Sequence, residues 1–495
     1  MIDAKSQIGV AIVAFSVVLA GCSSTPSKPT STTAPPSIPT GQLIQPPGPI
    51  SPHPALLGEA GAACKNAGAA DLTLCAGTVD AEIWGLPLVI MSHTRDILAC
   101  QLGVNHLFNA SKLAGPNSTS VVAPDNNVLA STAFLDLRAG PQLLSVPSVS
   151  GRYVSFQLLD MYTNTIADVG VLTDGGRAGT YAFVGPGWHG TIPKGVTRID
   201  VPTPDAWLLG RTQVNGPADL APAMALQQKY SLTALTGHGS GTTGGPSTLT
   251  CPAPALPSPT SLGFLADLGK DMAADPPSAA DGPVVQAMAA AGIGPGRTPG
   301  GTGAGDAGEY LKALGLGASL FAGAVGGGST TSTGWTRGAV VGSYGTDYVE
   351  RALVAKVGLG AQVPAQAVYF DAGRAQSGTT TIRLVGSRSY EIRFPAQDVP
   401  PHGADGFWSI TVYNAARFLV ANPIDRYSIG DETPGLVRGN DGSLTIVMSD
   451  TRPTEKGVNW LPAPAGAFSL TLRVYDPAEQ VLDGSWSPPV IQAIG

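Results

Sequence analysis

The sequence predicts a mainly β protein with a helical middle segment: strands first, then helices, then strands again. Three observations predict it. Charged residues make up only 13% of the 495 positions. The 64 glycines and 43 prolines are nearly double the usual combined share of about 12%. Short stretches also alternate apolar and polar residues between Gly, Pro and Asn punctuation, the period of antiparallel sheet.

The first residues predict export. The chain opens MIDAKSQIGVAIVAFSVVLAGC. Its apolar run, Ile8 to Ala20, is shorter than the roughly 20 residues needed to cross a bilayer and has the length of a signal-peptide core. It ends Leu19-Ala20-Gly21-Cys22, the order of a bacterial lipobox, so residues 1–21 are expected to be a signal peptide and Cys22 a lipidated residue. Residues 22–56 are dominated by Pro, Ser and Thr and read as a tether. Stable anchoring needs more than one acyl chain, which a diacylated Cys22 would supply. The expected location is lipid-anchored at a cell membrane, outside the cytoplasm. No later stretch reads as a second membrane segment.

With Cys22 lipidated, four cysteines remain: Cys64, Cys75, Cys100 and Cys251. An even number in an exported protein predicts two disulfides. Four cysteines allow three pairings, of which Cys64–Cys75 with Cys100–Cys251 is favoured because the first closes a short loop. The formal net charge of -7 is not blocky. No basic run exists to neutralise phosphates, which argues against nucleic acid as a partner.

Strands are expected at Ala133–Leu137, Gln142–Val146, Tyr153–Leu159, Thr180–Val184 and Thr197–Val201. The whole stretch from Leu57 to Gln213 is read as mainly strand, with partial helix over Ala81–Leu98 and helix again at Ala218–Tyr230. A Gly/Ser/Thr/Pro loop at 236–258 opens a connecting region over 231–345. In it Ser261 caps Leu262–Met272, Val284–Ala291 stops at Gly292, and Glu309–Ala324 is helical. After a helix near Thr346–Val357, strands return at Thr380–Val385, Tyr390–Phe394, Trp408–Tyr413, Ser443–Met448 and Ser469–Tyr475. The expected β domains are 57–230 and 346–495.

Several chemistries leave no trace. There is no GxSxG, HExxH or P-loop, and no CxxC. The GxGxxG match at Gly303–Gly308 follows a linker and not a strand. The six histidines (His53, His93, His106, His189, His238, His402) show no ligand spacing, so no metal and no cofactor are expected.

Several strings resemble known families. Gly151-Arg152-Tyr153, Leu158-Leu159-Asp160, Tyr162 with Asn164, Gly185-Pro186-Gly187-Trp188 and Trp207 through Gly210-Arg211 resemble the DUF1254 family. Phe407-Trp408-Ser409, Asn422-Pro423, Arg426-Tyr427-Ser428, Asp441-Gly442-Ser443, Asn459-Trp460-Leu461-Pro462 and Trp486 with Pro488-Pro489 resemble its companion, DUF1214. The resemblance covers about residues 80 to 490 in the family order. It implies two β-sandwich-like domains, the second jelly-roll-like, joined by helices. One departure stands out. Where the family has an Asn-Asp-Thr-x-Tyr-like segment before Asp136-Leu137, this chain has Asn127 at the acid and Ala130 at the tyrosine. If that acid is catalytic in relatives, this chain binds without turnover.

The candidate site residues follow. Arg152 and Arg211 offer bidentate guanidinium groups. Asp160, with Asn164 beside it, can serve as acid or base if its pKa is raised. Their structural alternative is a buried Arg–Asp pair holding sheets in register. In the second half Trp408, Arg426, Tyr427, Asn459 and Trp460 set aromatic faces beside polar groups, which suits a sugar ring or apolar chain. Their alternative is core and corner packing, with Asn459–Pro462 as a rigid turn. The leading functional expectation is an envelope lipoprotein that binds a small molecule, glycan or lipid at the outer face of a membrane. The alternative is a glycan hydrolase that uses Asp160 with Asp136 and needs their carboxylates about 5–10 Å apart. A structural role in a larger complex is a third reading.

Overall fold

The structure is a computed structural model. It describes residues 56–119, 121–236, 239–240, 249, 251–297, 299, 304–324, 329–338 and 341–494. The expected signal peptide, Cys22, almost all of the expected tether, His53 and His238 lie outside the described residues.

The largest difference from the sequence reading is at the start. Residues 57–80, read as mainly strand, belong instead to two helices, α1 (Leu56–Asn66) and α2 (Leu72–Leu102), and the partial helix expected over Ala81–Leu98 lies inside α2. The side chain of Asp71 caps α2 by accepting from the N–H groups of Thr73 and Leu74, and Gly103 ends it at φ 86°. Between these caps α2 is buried along most of its length, the ionisable Asp80, Glu82, Arg95 and Asp96 included, without the one-sided stripe that marks a surface helix. By length and composition it could cross a membrane, but 83% of its most apolar window is buried inside the fold. It is therefore the core helix of a layer.

That layer is completed by α4 (Leu262–Ala274), α5 (Gly282–Ala290), α6 (Ala304–Ala324) and α7 (Tyr348–Val357), all of which pack on α2. Close approach needs small residues. A Cβ on Gly77 would stand 2.5 Å from the Ala287 carbonyl of α5, and one on Gly85 2.6 Å from Leu268 of α4. The short α3 (Leu220–Gln227) belongs to the first β unit instead. Cys64–Cys75 pins α1 to α2, and Cys100–Cys251 ties the end of α2 to the central loop. Both are the favoured pairings.

The first β unit is a sandwich. One sheet runs from the two-residue strand Phe108–Asn109 through β1 (Val128–Asp136), β7 (Asp205–Gln213), β3 (Val154–Asp160) and β4 (Thr165–Gly170). The facing sheet orders β8 (Ser231–Ala234), β2 (Gln142–Val146), β5 (Gly179–Val184) and β6 (Thr197–Asp200). Alternate residues such as Leu135, Phe156, Leu158 and Leu208 fill the space between the sheets. The opposite face of the first sheet presents Phe134, Leu159 and Trp207 to the helical layer. There Phe134 and Trp207 stack with ring centroids 5.6 Å apart. One sheet is thus apolar on both faces, which is why its strands read as long buried runs.

The second β unit faces two six-stranded sheets across one core. The first contains β9 (Ala367–Ala372), β17 (Phe468–Pro477), β13 (His402–Asn414) and β14 (Ser428–Gly430), extended by Ser329–Thr330 and Thr336–Arg337. The second is built from β10 (Arg374–Ser377), β11 (Thr380–Arg383), β12 (Ser389–Phe394), β15 (Leu444–Ser449), β16 (Asn459–Pro462) and β18 (Gln492–Ile494). The protein is therefore mainly β with a helical segment between two sandwich-like units, as expected, and α1 and α2 join that helical segment from the N-terminal side.

The two units meet along a polar seam. Tyr153 Oη donates to Gln366 at 2.8 Å, Gln157 donates to the Ala361 carbonyl at 2.9 Å, and Arg211 donates to the Gly360 carbonyl. Tyr153, Phe407 and Tyr475 pack against one another beside these bonds.

Candidate functional site

Most of the predicted site residues are committed to local structure. The carboxylate of Asp160 accepts from the backbone N–H groups of Tyr162 and Asn164 and from the Asn164 amide, each at 2.9 Å. It closes the β3–β4 turn, where Thr163 sits at φ 66°. Burial pushes Asp160 up to about 6, against the hydrogen bonds from Asn164 and the charge of Arg351. Arg152 grips both oxygens of Asp219 at 2.5 and 2.6 Å. Arg211 spans the seam between Gln157 and Gly360. Asp136 accepts from the backbone and side chain of Arg138.

Asn127 and Ala130 lie on the edge of this same sheet. Ala130 is the cross-strand partner of Arg211. The Asn127 Oδ1 is buried with no partner among the described residues.

The second group divides in the same way. Trp408 is 2% exposed, in the core between the sheets, with Phe394 5.5 Å away. Asn459 joins neighbouring segments, donating to the Val437 and Thr445 carbonyls and accepting from Val437 N–H. The Asn459–Pro462 string is a strand paired in parallel with β15, not a turn. Trp460 is buried and donates to the Ser449 carbonyl, Arg426 donates to the Trp460 carbonyl, and half-buried Tyr427 donates to Asp425.

A buried ion network locks the helical layer onto the first sandwich. Asp205 at the start of β7 accepts from Arg95 of α2 and from Arg138, both at 2.6 Å. Asp96 pairs with Arg95, and the backbone N–H of Asp205 donates to Asp275. Burial and the charge of Asp205 push the Asp275 carboxyl up.

The residue that stands apart is Arg351, which the sequence reading did not single out. Four segments converge on it. Asp80 and Trp84 lie one turn apart on α2, and Tyr348 and Arg351 share a face of α7. The β3–β4 turn adds Tyr162, and the 3₁₀ turn Ala279–Asp281 adds Asp281. Arg351 is 2% exposed. Its guanidinium carbon lies 5.0 Å from the ring centre of Tyr348, 5.6 Å from Tyr162 and 5.7 Å from Trp84. Such aromatic faces stabilise a cation.

Its charge is poorly paired. Nη1 lies 3.9 Å from Asp281, which also takes a hydrogen bond from Tyr348. Nε and Nη2 have no hydrogen-bond partner among the described residues, and neither do Trp84 Nε1 and Asp80 Oδ1. Burial pushes Asp80 up to about 7. A buried, unpaired polar group costs roughly 1–3 kcal/mol, more if charged, so four such atoms on three neighbouring side chains are an expensive arrangement. The sequence did hold a signal: an arginine three residues after Tyr348, on the apolar face of a predicted helix.

Glu82, on another face of α2, is a separate case. A Cβ on Gly317 of α6 would lie 2.5 Å from its Oε2. Burial pushes Glu82 up to about 8, partly offset by Lys356. Between its ordinary value of 4.5 and about 8, the unfolded chain releases a proton that the folded protein keeps. Stability therefore falls as pH rises through that window. Glu82→Gln is expected to raise stability by roughly 1–3 kcal/mol at pH 8 and by nothing below about pH 4. Urea unfolding at the two pH values measures this, and an equal effect at both would show that burial of the charge is not the cause.

Comparison with known proteins agrees with this architecture. The family described as "protein of unknown function (DUF1254)" matches residues 104–234, and "protein of unknown function (DUF1214)" matches 366–479. No curated protein sequence matches the chain. Among solved structures, the VPA0106 protein from Vibrio parahaemolyticus, a structural-genomics target, is 22% identical with a TM-score of 0.63. That match covers 85% of this chain and 100% of that one, and the similarity is one of fold. An uncharacterized protein from Burkholderia cenocepacia is 13% identical over 89% of this chain and 94% of its own, at a TM-score of 0.38. The chain thus carries a DUF1254 match followed by a DUF1214 match, in the expected order.

Proposed function

We propose that this protein is an envelope lipoprotein, anchored through Cys22, that binds a small molecule at the Arg351 cluster. The observation that carries the reading is the guanidinium itself. It is buried, faced by three aromatic rings, and has two nitrogens without a partner among the described residues. Perturbed and poorly paired ionisable groups gather at functional sites more often than elsewhere. The lipobox-like Leu19-Ala20-Gly21-Cys22 and the Pro/Ser/Thr-rich segment after it support the anchor.

Binding is favoured over glycan hydrolysis by the state of the two carboxylates that hydrolysis would use. Asp136 and Asp160 each hold a turn or an arginine through several bonds. Asp160 is engaged through both oxygens, and Asp136 is tied to Arg138 through Oδ1, which supports a structural use of both.

The test compares full-length protein, purified from membranes, with its Arg351→Met variant. Small molecules released on denaturation are identified by mass spectrometry. Species carried by the wild type and missing from the variant are the expected result; identical sets would overturn the reading. The variant should fold with little loss of stability, because replacing a poorly paired buried charge with an apolar residue of similar length is often neutral or favourable. In the same samples the intact mass should show a diacylglyceryl group on Cys22. Cys22→Ala should release the protein from the membrane.

A further inference from the structure

The geometry points to a carboxylate of an organic acid as the group that Arg351 holds. This inference deepens the binding reading above and rests on it.

Nη1 is turned toward Asp281 at 3.9 Å. The two without a partner among the described residues are Nε and Nη2. These two lie on the same edge of the guanidinium, and their N–H bonds run parallel. Two parallel donors match the two oxygens of a single acid group, and arginine forms such bidentate pairs readily. Water or a lone hydroxyl would satisfy one donor at a time. A two-oxygen acid satisfies both together.

Planarity then separates carboxylate from phosphate. The Tyr348, Tyr162 and Trp84 rings lie 5.0, 5.6 and 5.7 Å from the guanidinium carbon. A carboxylate stays in the plane of the guanidinium and keeps clear of these rings. A tetrahedral phosphate pairing on the same edge carries its other oxygens out of that plane, toward apolar ring surfaces that cannot hydrogen-bond them.

Charge favours the same choice. The surroundings already hold the carboxyls of Asp281 and Asp160, so a second negative charge on the ligand would be repelled.

Two further donors extend the site. Trp84 Nε1 is buried and without a partner among the described residues, and its N–H can only donate. Burial pushes Asp80 up to about 7, so below that pH its carboxyl can donate as well. With the aromatic rings around them, these groups suit an acid whose carbon skeleton is flat or apolar next to its carboxylate.

The test measures affinity of the full-length protein for acetate, benzoate and inorganic phosphate by calorimetry. Wild type is compared with Arg351→Lys, Arg351→Met and Trp84→Phe. Lysine keeps the charge and loses the two-donor edge, so Arg351→Lys should weaken carboxylate binding about tenfold or more. Arg351→Met should abolish it, and Trp84→Phe, which keeps a ring and loses the N–H, should weaken it severalfold. Equal carboxylate affinity in wild type and Arg351→Lys would overturn the inference. So would phosphate binding more tightly than either carboxylate, or no carboxylate binding to the wild type.

Binding at Arg351 and the carboxylate assignment can fail separately. If the species lost from Arg351→Met in the extraction experiment carry no carboxyl group, the carboxylate assignment falls and the binding reading stands. If no species depends on Arg351, both fall.

Discussion

Replacing Asp205 with asparagine is expected to destabilise the protein by roughly 3–5 kcal/mol, the cost of removing one partner from a buried ion network. Asp205 is 1% exposed. It accepts from Arg95 and Arg138 at 2.6 Å, and these arginines come from the helical layer and the first sandwich. Without its charge, Arg95 keeps Asp96 at 2.8 Å and the distant Asp275 at 4.0 Å. Arg138 keeps Asp136 at 3.1 Å. The two guanidinium groups would then share too little negative charge in a site closed to water. Urea unfolding followed by tryptophan fluorescence reads the change, with Asp200→Asn as the control. Asp200 forms an ion pair with Arg198, but both side chains are well exposed, and such pairs contribute little. Losses of similar size in the two variants would mean that Asp205 is not the lock between the layers.

The second large effect is expected from the Cys100–Cys251 disulfide. Its cysteines are 151 residues apart, against 11 for Cys64–Cys75. In the chain-entropy account, a crosslink stabilises by restricting the unfolded chain and gains with the logarithm of the loop it closes. That gives roughly 5 kcal/mol for the long loop and about 3 kcal/mol for the short one. The long crosslink also joins the last turn of α2 to the loop that leads into α4, so its loss frees two sides of the helical layer at once. The double variants Cys100→Ser with Cys251→Ser and Cys64→Ser with Cys75→Ser, unfolded side by side, test the order. A larger loss from the short loop would show that local geometry, and not loop length, governs these crosslinks.

Much of the fold could be read from local pattern. The strands at Gln142–Val146, Thr180–Val184 and Tyr390–Phe394 alternate faces between turn residues, and each forms a strand with nearly those bounds. The capped helix beginning at Leu262 was legible because Ser261 is a good cap and accepts from the Phe264 N–H. By contrast α2 was legible only in part, through the helix expected over Ala81–Leu98. Most of it is buried, so its sequence lacks the one-sided stripe that would have given its full bounds.

The candidate site was much less legible, for a related reason. Asp160 and Asn164 look reactive in sequence, but they are four residues apart across a tight turn and satisfy each other. Trp408 and Trp460 look exposed enough to bind a ligand, but each lies in a core. Arg351 looks like an ordinary helix residue until α2, the β3–β4 turn and the Ala279–Asp281 turn close around it.

The sequence by itself determined that a helical segment lies between two β units, which four cysteines are available to pair and the resemblance to two families, because these depend on local periodicity, composition and chain order. Tertiary structure alone decided that α2 is a core helix, that Asp205 joins two layers and that Arg351 is buried among three rings. Each of those outcomes depends on which distant segments exclude water from a given side chain, and that is a property of packing that no local stretch of sequence contains.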